Sequence, residues 1–177
     1  MIYWFTSDCH FGHEKIIGYT NRPFKNVDHM NEMLIKNWNS RVKEEDVVFH
    51  IGDFCYKRSQ VSYKKFADRL NGKIIFIKGN HDDTNDVNTP IIDITIRHGG
   101  KTILLIHRPE DSSPFYTDLV LCGHVHNAWK FKEMDFNGEY KWDCVNVGVD
   151  VWNYHPINIT EILGEYSNWK TNGDKNA

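Results

Sequence analysis

The chain has 177 residues, 40% of them hydrophobic and 25% charged, with a formal net charge of −3. That length and balance suit one soluble globular domain with a sizeable core, not a disordered segment. The strong positive charge of a protein that coats long nucleic acid is absent, so long nucleic acid is not an expected partner.

The N-terminus, Met-Ile-Tyr-Trp-Phe-Thr-Ser-Asp, has no basic leader, and no apolar run approaches the roughly 18 residues needed to cross a bilayer. Neither a signal peptide nor a membrane anchor is expected. The four cysteines (Cys9, Cys55, Cys122, Cys144) sit singly beside apolar residues, with no CxxC pair. They read as buried thiols in a reducing, cytoplasmic compartment.

In chain order, short Ile-, Val- and Phe-rich runs predict strands at 2–7, 47–51, 73–78, 91–97, 102–107 and 119–122. Met30, Met33, Leu34, Trp38 and Val42 recur at helical spacing, with Asp28 as a candidate cap. Tyr63, Phe66, Ala67 and Leu70 form a second helical stripe, stopped by Asn71-Gly72. Residues 111–118 have room for a turn of helix. Asn137-Gly138, between the runs Trp129 to Phe136 and Glu139 to Val147, is a hairpin signal. A last strand is placed near 157–162. Residues 1–166 are expected to form one α/β domain with a two-layer sheet core and flanking helices, and 167–177 a polar, flexible tail.

Chemistry gathers at the strand ends. Asp8-Cys9-His10 follows the first strand, Gly52-Asp53 the second and Gly79-Asn80-His81-Asp82 the third. His107 ends a later strand, and Gly123-His124-Val125-His126 follows the next. Strand C-termini of an α/β sheet are where ligands bind, and glycine permits close backbone approach there. Carboxylate, imidazole and amide donors without a thiolate favour a borderline divalent ion such as Mn²⁺, Fe²⁺, Zn²⁺ or Ni²⁺. Asp8, His10, Asp53, Asn80, His107, His124 and His126 are too many for one such ion and suit two sharing a carboxylate.

These five blocks, in this order over residues 8–126, resemble the signature of the calcineurin-like metallophosphoesterase superfamily. The small size and the stretches "HFGH", "NRPF" and "NVGVDVWNYHP" look most like its compact bacterial and phage members. The resemblance implies a four-layer α-β-β-α sandwich with two mixed sheets. It implies two metal ions, manganese favoured. Asp8, His10 and His126 would hold the first, Asp53 would bridge, and Asn80, His107 and His124 would hold the second. His81 would be the catalytic histidine. The implied reaction is hydrolysis of a phosphodiester or small phosphomonoester by in-line attack of metal-activated hydroxide, with diesters slightly favoured and a small phosphate ester or nucleotide as substrate.

One departure concerns the protein phosphatases of the superfamily, which carry GDxxDRG. Here Tyr56 stands where their second Asp would be, which counts against that activity. Alternative functions are a nuclease on short or single-stranded nucleic acid, a non-enzymatic scaffold on the same fold, and a metal-storage or sensor protein.

Three further residues are candidate substrate contacts. His13 faces the cleft, holds a phosphate or caps the following helix, and the sequence leaves these open. Arg22 and Arg108 have the fork to grip a phosphate. Lys57 and Arg58 read as a surface helix start. His29, His50, His98 and His155 match no block and read as core or surface residues.

Overall fold

The computed structural model describes residues 1–56, 62–82, 87–113, 115 and 117–173. Lys57 and Arg58 lie outside them.

Three of the expected strands build the first sheet: β1 (Tyr3–Thr6), β2 (Val47–Ile51) and β3 (Lys73–Ile77). They run parallel in the order β3-β2-β1, and a two-residue strand, β9 (Ile157–Asn158), closes the far edge antiparallel to β1. The second sheet has the order β4-β5-β6-β8-β7. Its strands are β4 (Asp93–His98), β5 (Lys101–Ile106), β6 (Leu119–Cys122), β7 (Phe131–Phe136) and β8 (Tyr140–Asn146). β5, β6 and β8 are parallel, while β4 and β7 run antiparallel at the edges. Asn137 and Gly138 both take positive φ at the β7–β8 turn, as that hairpin requires.

The sheets face each other across a core of Phe5, Ile51, Ile77, Ile103, Leu105, Leu121 and Val145. The apolar runs of β1, β2 and β6 are buried along almost their whole length, whereas β4, at an edge, is mostly exposed. Trp4 and Val48, on the outer face of the first sheet, pack against α1 (Glu14–Tyr19), α2 (Val27–Asn39) and α3 (Lys64–Ala67) through Ile16, Met30, Leu34, Trp38 and Phe66. The fold is α/β, two mixed sheets flanked by helices.

Several local expectations are corrected. The cap of α2 is Asn26, whose Oδ1 accepts from His29 N at 2.9 Å, and not Asp28. The turn expected at 111–118 is a 3₁₀ turn at Pro109–Asp111. The strand expected over 157–162 stops at Asn158, where α4 (Ile159–Asn172) begins. A capping box stops the strand: Asn158 Oδ1 accepts from Glu161 N, and Glu161 Oε2 accepts from Asn158 N, both at 3.0 Å. α4 then buries Ile159 and Ile162 in the intersheet core and stacks Trp169 on Phe131. Ser167 to Asn172, expected as tail, are therefore helical, and residues 174–177 of that tail lie outside the described residues.

Candidate metal centre

The parallel strands β1, β2, β3, β5 and β6 end on one side, and their following residues converge. The loop after β1 docks on the loop after β2, with Asp8 N donating to Gly52 O and His10 N to Asp53 O, both at 3.1 Å. The loop after β6 docks on the end of β5 through Gly123 N to His107 O at 3.0 Å.

Glycine is sterically required at three positions in these loops, and a Cβ on Gly52 would overlap the His107 ring. A Cβ on Gly79 would overlap the Asp53 carboxylate and backbone nitrogen, and one on Gly123 would overlap Ser7 Oγ and the Asp8 carboxylate. The ligand loops are also strained. Asp8 (φ 56°), His10 (50°), Asp53 (58°), His124 (71°) and His126 (49°) all sit in the left-handed region. Non-glycine residues visit it at a cost, and such strain clusters at functional sites.

Two groups of donors result. Asp8, His10 and His126 bring ligand atoms within 4.8 Å of one another, and so do Asp8, Asp53 and His107. Asn80 Oδ1 is 3.0 Å from His107 Nε2, and the His124 ring centroid is 5.3 Å from that of His107. His124 N donates to the Asp8 carboxylate at 3.0 and 3.2 Å. Asp8, His10, Asp53 and His107 are buried, and His126 and His124 are half-buried. All seven sequence-predicted ligands therefore meet at one place.

The donor set fits a cation. Both ring nitrogens of His10 are buried without a hydrogen-bond partner, an expensive state for an imidazole that is not a ligand. His10 Nε2 stands 3.5 Å from Asp53 Oδ2 and 3.9 Å from Asp8 Oδ1, too long for hydrogen bonds.

Charge is balanced tightly. Burial raises the Asp8 carboxyl against the nearby imidazoles. Burial pushes Asp53 up as well, but its hydrogen bond with His107 and that ring's charge bring it below the usual range. Burial opposes the charge on His107, yet Asp53 and Asp8 bring it to about 9. Burial holds His10 well below its ordinary value.

His81 behaves differently. Its backbone N donates to Asp53 Oδ1 at 2.9 Å, while its side chain, 45% exposed, carries Nε2 to 4.0 Å from Asp53 Oδ2. It borders an open cleft of about 480 Å³ with His10, His13, Tyr19, Tyr56 and His126. His13 is buried there, stacked on Tyr56 at 3.8 Å and 4° and 5.4 Å from the His10 ring. It occupies the position before α1 but makes no side-chain cap. Tyr56, the departure from the protein-phosphatase pattern, thus serves as the floor under His13.

The two arginines part company. Arg108 is exposed at the rim, its fork held by Glu110 at 2.7 and 2.9 Å. Arg22 is buried and its donors are spent on Asp150, on the carbonyls of Asp8 and Cys9 and on the Met30 sulfur. It is a brace within the protein and has no donor left for a phosphate.

Two site residues escape sequence reasoning. The part Asp82 plays is not legible from its place beside His81: its carboxylate accepts from Asp53 N and Gly79 N at 2.9 and 2.8 Å. Asp150 accepts from His126 Nδ1 at 3.0 Å. Its only signal is its place in the "NVGVDVWNYHP" stretch.

The sequence model of the calcineurin-like phosphoesterase superfamily domain matches residues 1–153. This chain belongs to that superfamily. It is a metallophosphoesterase by family, a hydrolase of phosphoric esters. An uncharacterised protein of the archaeon Methanocaldococcus jannaschii is 38% identical over 159 residues, covering 89% of this phosphoesterase and 86% of that protein. The gene 66 protein of Mycobacterium phage L5 is 31% identical over 87 residues, 48% of this chain and 42% of that one. A solved structure of a protein of unknown function from Aquifex aeolicus superimposes with a TM-score of 0.67 at 27% identity, covering 93% of this chain and 98% of that one. Relatives therefore occur in an archaeon, a phage and a bacterium. Among the described residues, no helix is long and apolar enough to cross a membrane.

Proposed function

We propose that this phosphoesterase uses two divalent cations, manganese favoured, to hydrolyse a phosphodiester or small phosphomonoester. The observation that carries the reading is the position of Asp53 Oδ2, 3.5 Å from His10 Nε2 and 3.4 Å from His107 Nε2. One carboxylate oxygen thus stands between two imidazoles that belong to different donor groups. Asp8, His10 and His126 would hold the first cation, Asn80, His107 and His124 the second, with Asp53 between. Bound there, such ions lower the pKa of a coordinated water and neutralise phosphoryl oxygens.

The protein's own residues supply the rest. His81, at the cleft and outside both donor groups, is placed to give a proton to the leaving oxygen. His13 and Tyr56 wall the cleft, and Lys15 adds positive charge at its edge. Arg108 borders the adjoining hollow with Asn80 and His107, where a phosphate oxygen could reach it. The openness of the cleft suits a small phosphate ester or nucleotide.

The test is reconstitution. Protein stripped with chelator receives Mn²⁺, Ni²⁺, Zn²⁺, Fe²⁺ or Mg²⁺ in turn. Each sample is assayed on p-nitrophenyl phosphate, bis-p-nitrophenyl phosphate and a 2′,3′-cyclic nucleotide. Metal-dependent turnover that vanishes in Asp53→Asn supports the reading, and the preferred ester separates mono- from diesterase. Two ions bound per chain without turnover of any ester would favour a scaffold or sensor on the same fold.

A further inference from the structure

We infer that Asp150 is a positioning residue for His126, with Arg22 as its counter-charge. This pair governs how tightly the Asp8–His10–His126 group holds its cation. The inference rests on the metal-binding reading above and goes beyond it.

Asp150 lies in the 3₁₀ turn Val149–Val151 that follows β8, outside every signature block, with its side chain 1% exposed. Its Oδ2 accepts from His126 Nδ1 at 3.0 Å and from Arg22 Nη2 at 3.0 Å, and its Oδ1 accepts from Arg22 Nε at 2.8 Å. The carboxylate is therefore held bidentately on one side and receives the imidazole on the other. Arg22 is equally buried. Its other nitrogen–hydrogen bonds reach Asp8 O at 2.8 Å and Cys9 O at 3.0 Å.

These contacts have one consequence for geometry. The loop after β1 carries Asp8 and His10, and the loop after β6 carries His126. One guanidinium grips the backbone of the first loop and, through Asp150, the ring from the second. All three donors of the group are thus assembled by a single buried ion pair. Such a pair is not explained by stability, because replacing a buried ion pair with well-packed apolar residues is often neutral or stabilising.

The chemical consequence concerns the ring. With Nδ1–H committed to Asp150, the lone pair of neutral His126 is at Nε2, and an anionic partner makes that nitrogen a stronger donor. His107 in the other group is oriented by a neutral acceptor, with Nδ1 at 2.8 Å from Ile51 O. The two groups share Asp8 but only the first contains His126, so removing the charge on Asp150 weakens the first more than the second.

Two measurements test this. The first is calorimetric titration of Mn²⁺ into chelator-stripped wild type, Asp150→Asn and the double variant Arg22→Met/Asp150→Asn. The double variant removes the buried charge that Asp150→Asn strands, so a folded protein is available even where the single variant melts early. One of two sites should weaken roughly 10–100-fold in Asp150→Asn, and in both variants that site should lose more than the other. Unchanged affinity at both sites, or equal loss at both in a folded variant, overturns the inference.

The second is the ¹⁵N shift of His126 in metal-free protein at a pH where the ring is neutral. The wild type should show the Nδ1–H tautomer and Asp150→Asn a loss of that preference. An Nε2–H tautomer in the wild type overturns the inference. Wild type that takes up no cation would defeat the metal reading instead, and the tautomer would still decide whether Asp150 positions His126.

Discussion

The carboxylate of Asp82 joins the two loops that carry Asp53 and Asn80. Its Oδ2 accepts from the backbone amides of Asp53 at 2.9 Å and Gly79 at 2.8 Å, and the residue is buried. Asp82→Ala leaves two buried amides unpaired, at about 1–3 kcal/mol each. Asp82→Asn keeps an acceptor oxygen and should cost less. Urea denaturation should rank the midpoints wild type, Asn, Ala, with metal occupancy falling in the same order. An Ala variant as stable as wild type would remove Asp82 from this role.

His81 and Asp53 should separate chemistry from metal binding. His81 reaches Asp53 through its backbone N, a contact that His81→Ala preserves. That variant should keep its metal content and lose about 10²–10⁴ in kcat, the range for a general acid. Asp53→Asn should lose metal and turnover together. The check is metal analysis alongside steady-state kinetics. Loss of metal in His81→Ala would reassign it as a ligand.

The metal-free protein should weaken on the alkaline side. The buried His107 ring is raised to about 9 by Asp53 and Asp8, against an ordinary histidine near 6.5. Between those values the folded state binds the extra proton, so stability falls as pH rises, by at most about 1.4 kcal/mol per unit. Below about 6.5 the contribution is complete. Cations need the deprotonated ring, so affinity should climb towards pH 9 with proton release. Melting curves in chelator, and titrations in buffers of different ionisation enthalpy, read the two effects. A flat profile that His107→Asn leaves unaltered would refute the assignment.

His50 gives the opposite slope on the acid side. It is fully buried in β2 among Trp38, Phe54 and Phe76, and neither ring nitrogen has a partner. Burial lowers it to about 3. From about 6.5 down to about 3 the unfolded chain takes up a proton that the folded one refuses, so stability drops by about 1.4 kcal/mol per unit. His50→Phe should flatten that slope between pH 6.5 and 4. The comparison is of slopes, so any packing penalty common to all pH values cancels. An unchanged slope would mean that other groups carry the acid sensitivity.

What the sequence reveals and what it hides follow a physical division. The β-α-β-α-β start and the ligand loops were legible because apolar runs and strand-end glycines are local signals. α4 was hidden because Ile157 and Ile159 alternate as in a strand, and the Asn158–Glu161 capping box outweighs them. α1 was hidden by its six-residue length. The ligands could be placed, but not the residues that hold them. Arg22 and Asp150 meet across the fold, and half of what Arg22 binds is backbone carbonyl, which no pattern of side chains records.

Gly123 offers the sharpest steric test. A Cβ there would collide with Ser7 Oγ and with the Asp8 carboxylate. Ser7 has little freedom to move, because its Oγ donates to Ile51 O at 2.5 Å and lies 3.2 Å from Gly52 O. The displacement therefore falls on Asp8, which also accepts from His124 N. Gly123→Ala should cost about 1–3 kcal/mol as an overpacked site and should also reduce metal affinity and turnover. Gly138→Ala is the control. Unlike Gly123 it has a positive φ, 74°, and it meets nothing within 4 Å, so Gly138→Ala carries backbone strain without collision and leaves the metal centre untouched. Calorimetric melting and Mn²⁺ titration of the two variants separate strain from collision. Equal metal affinity in both would show that Asp8 yields to the added methyl without cost.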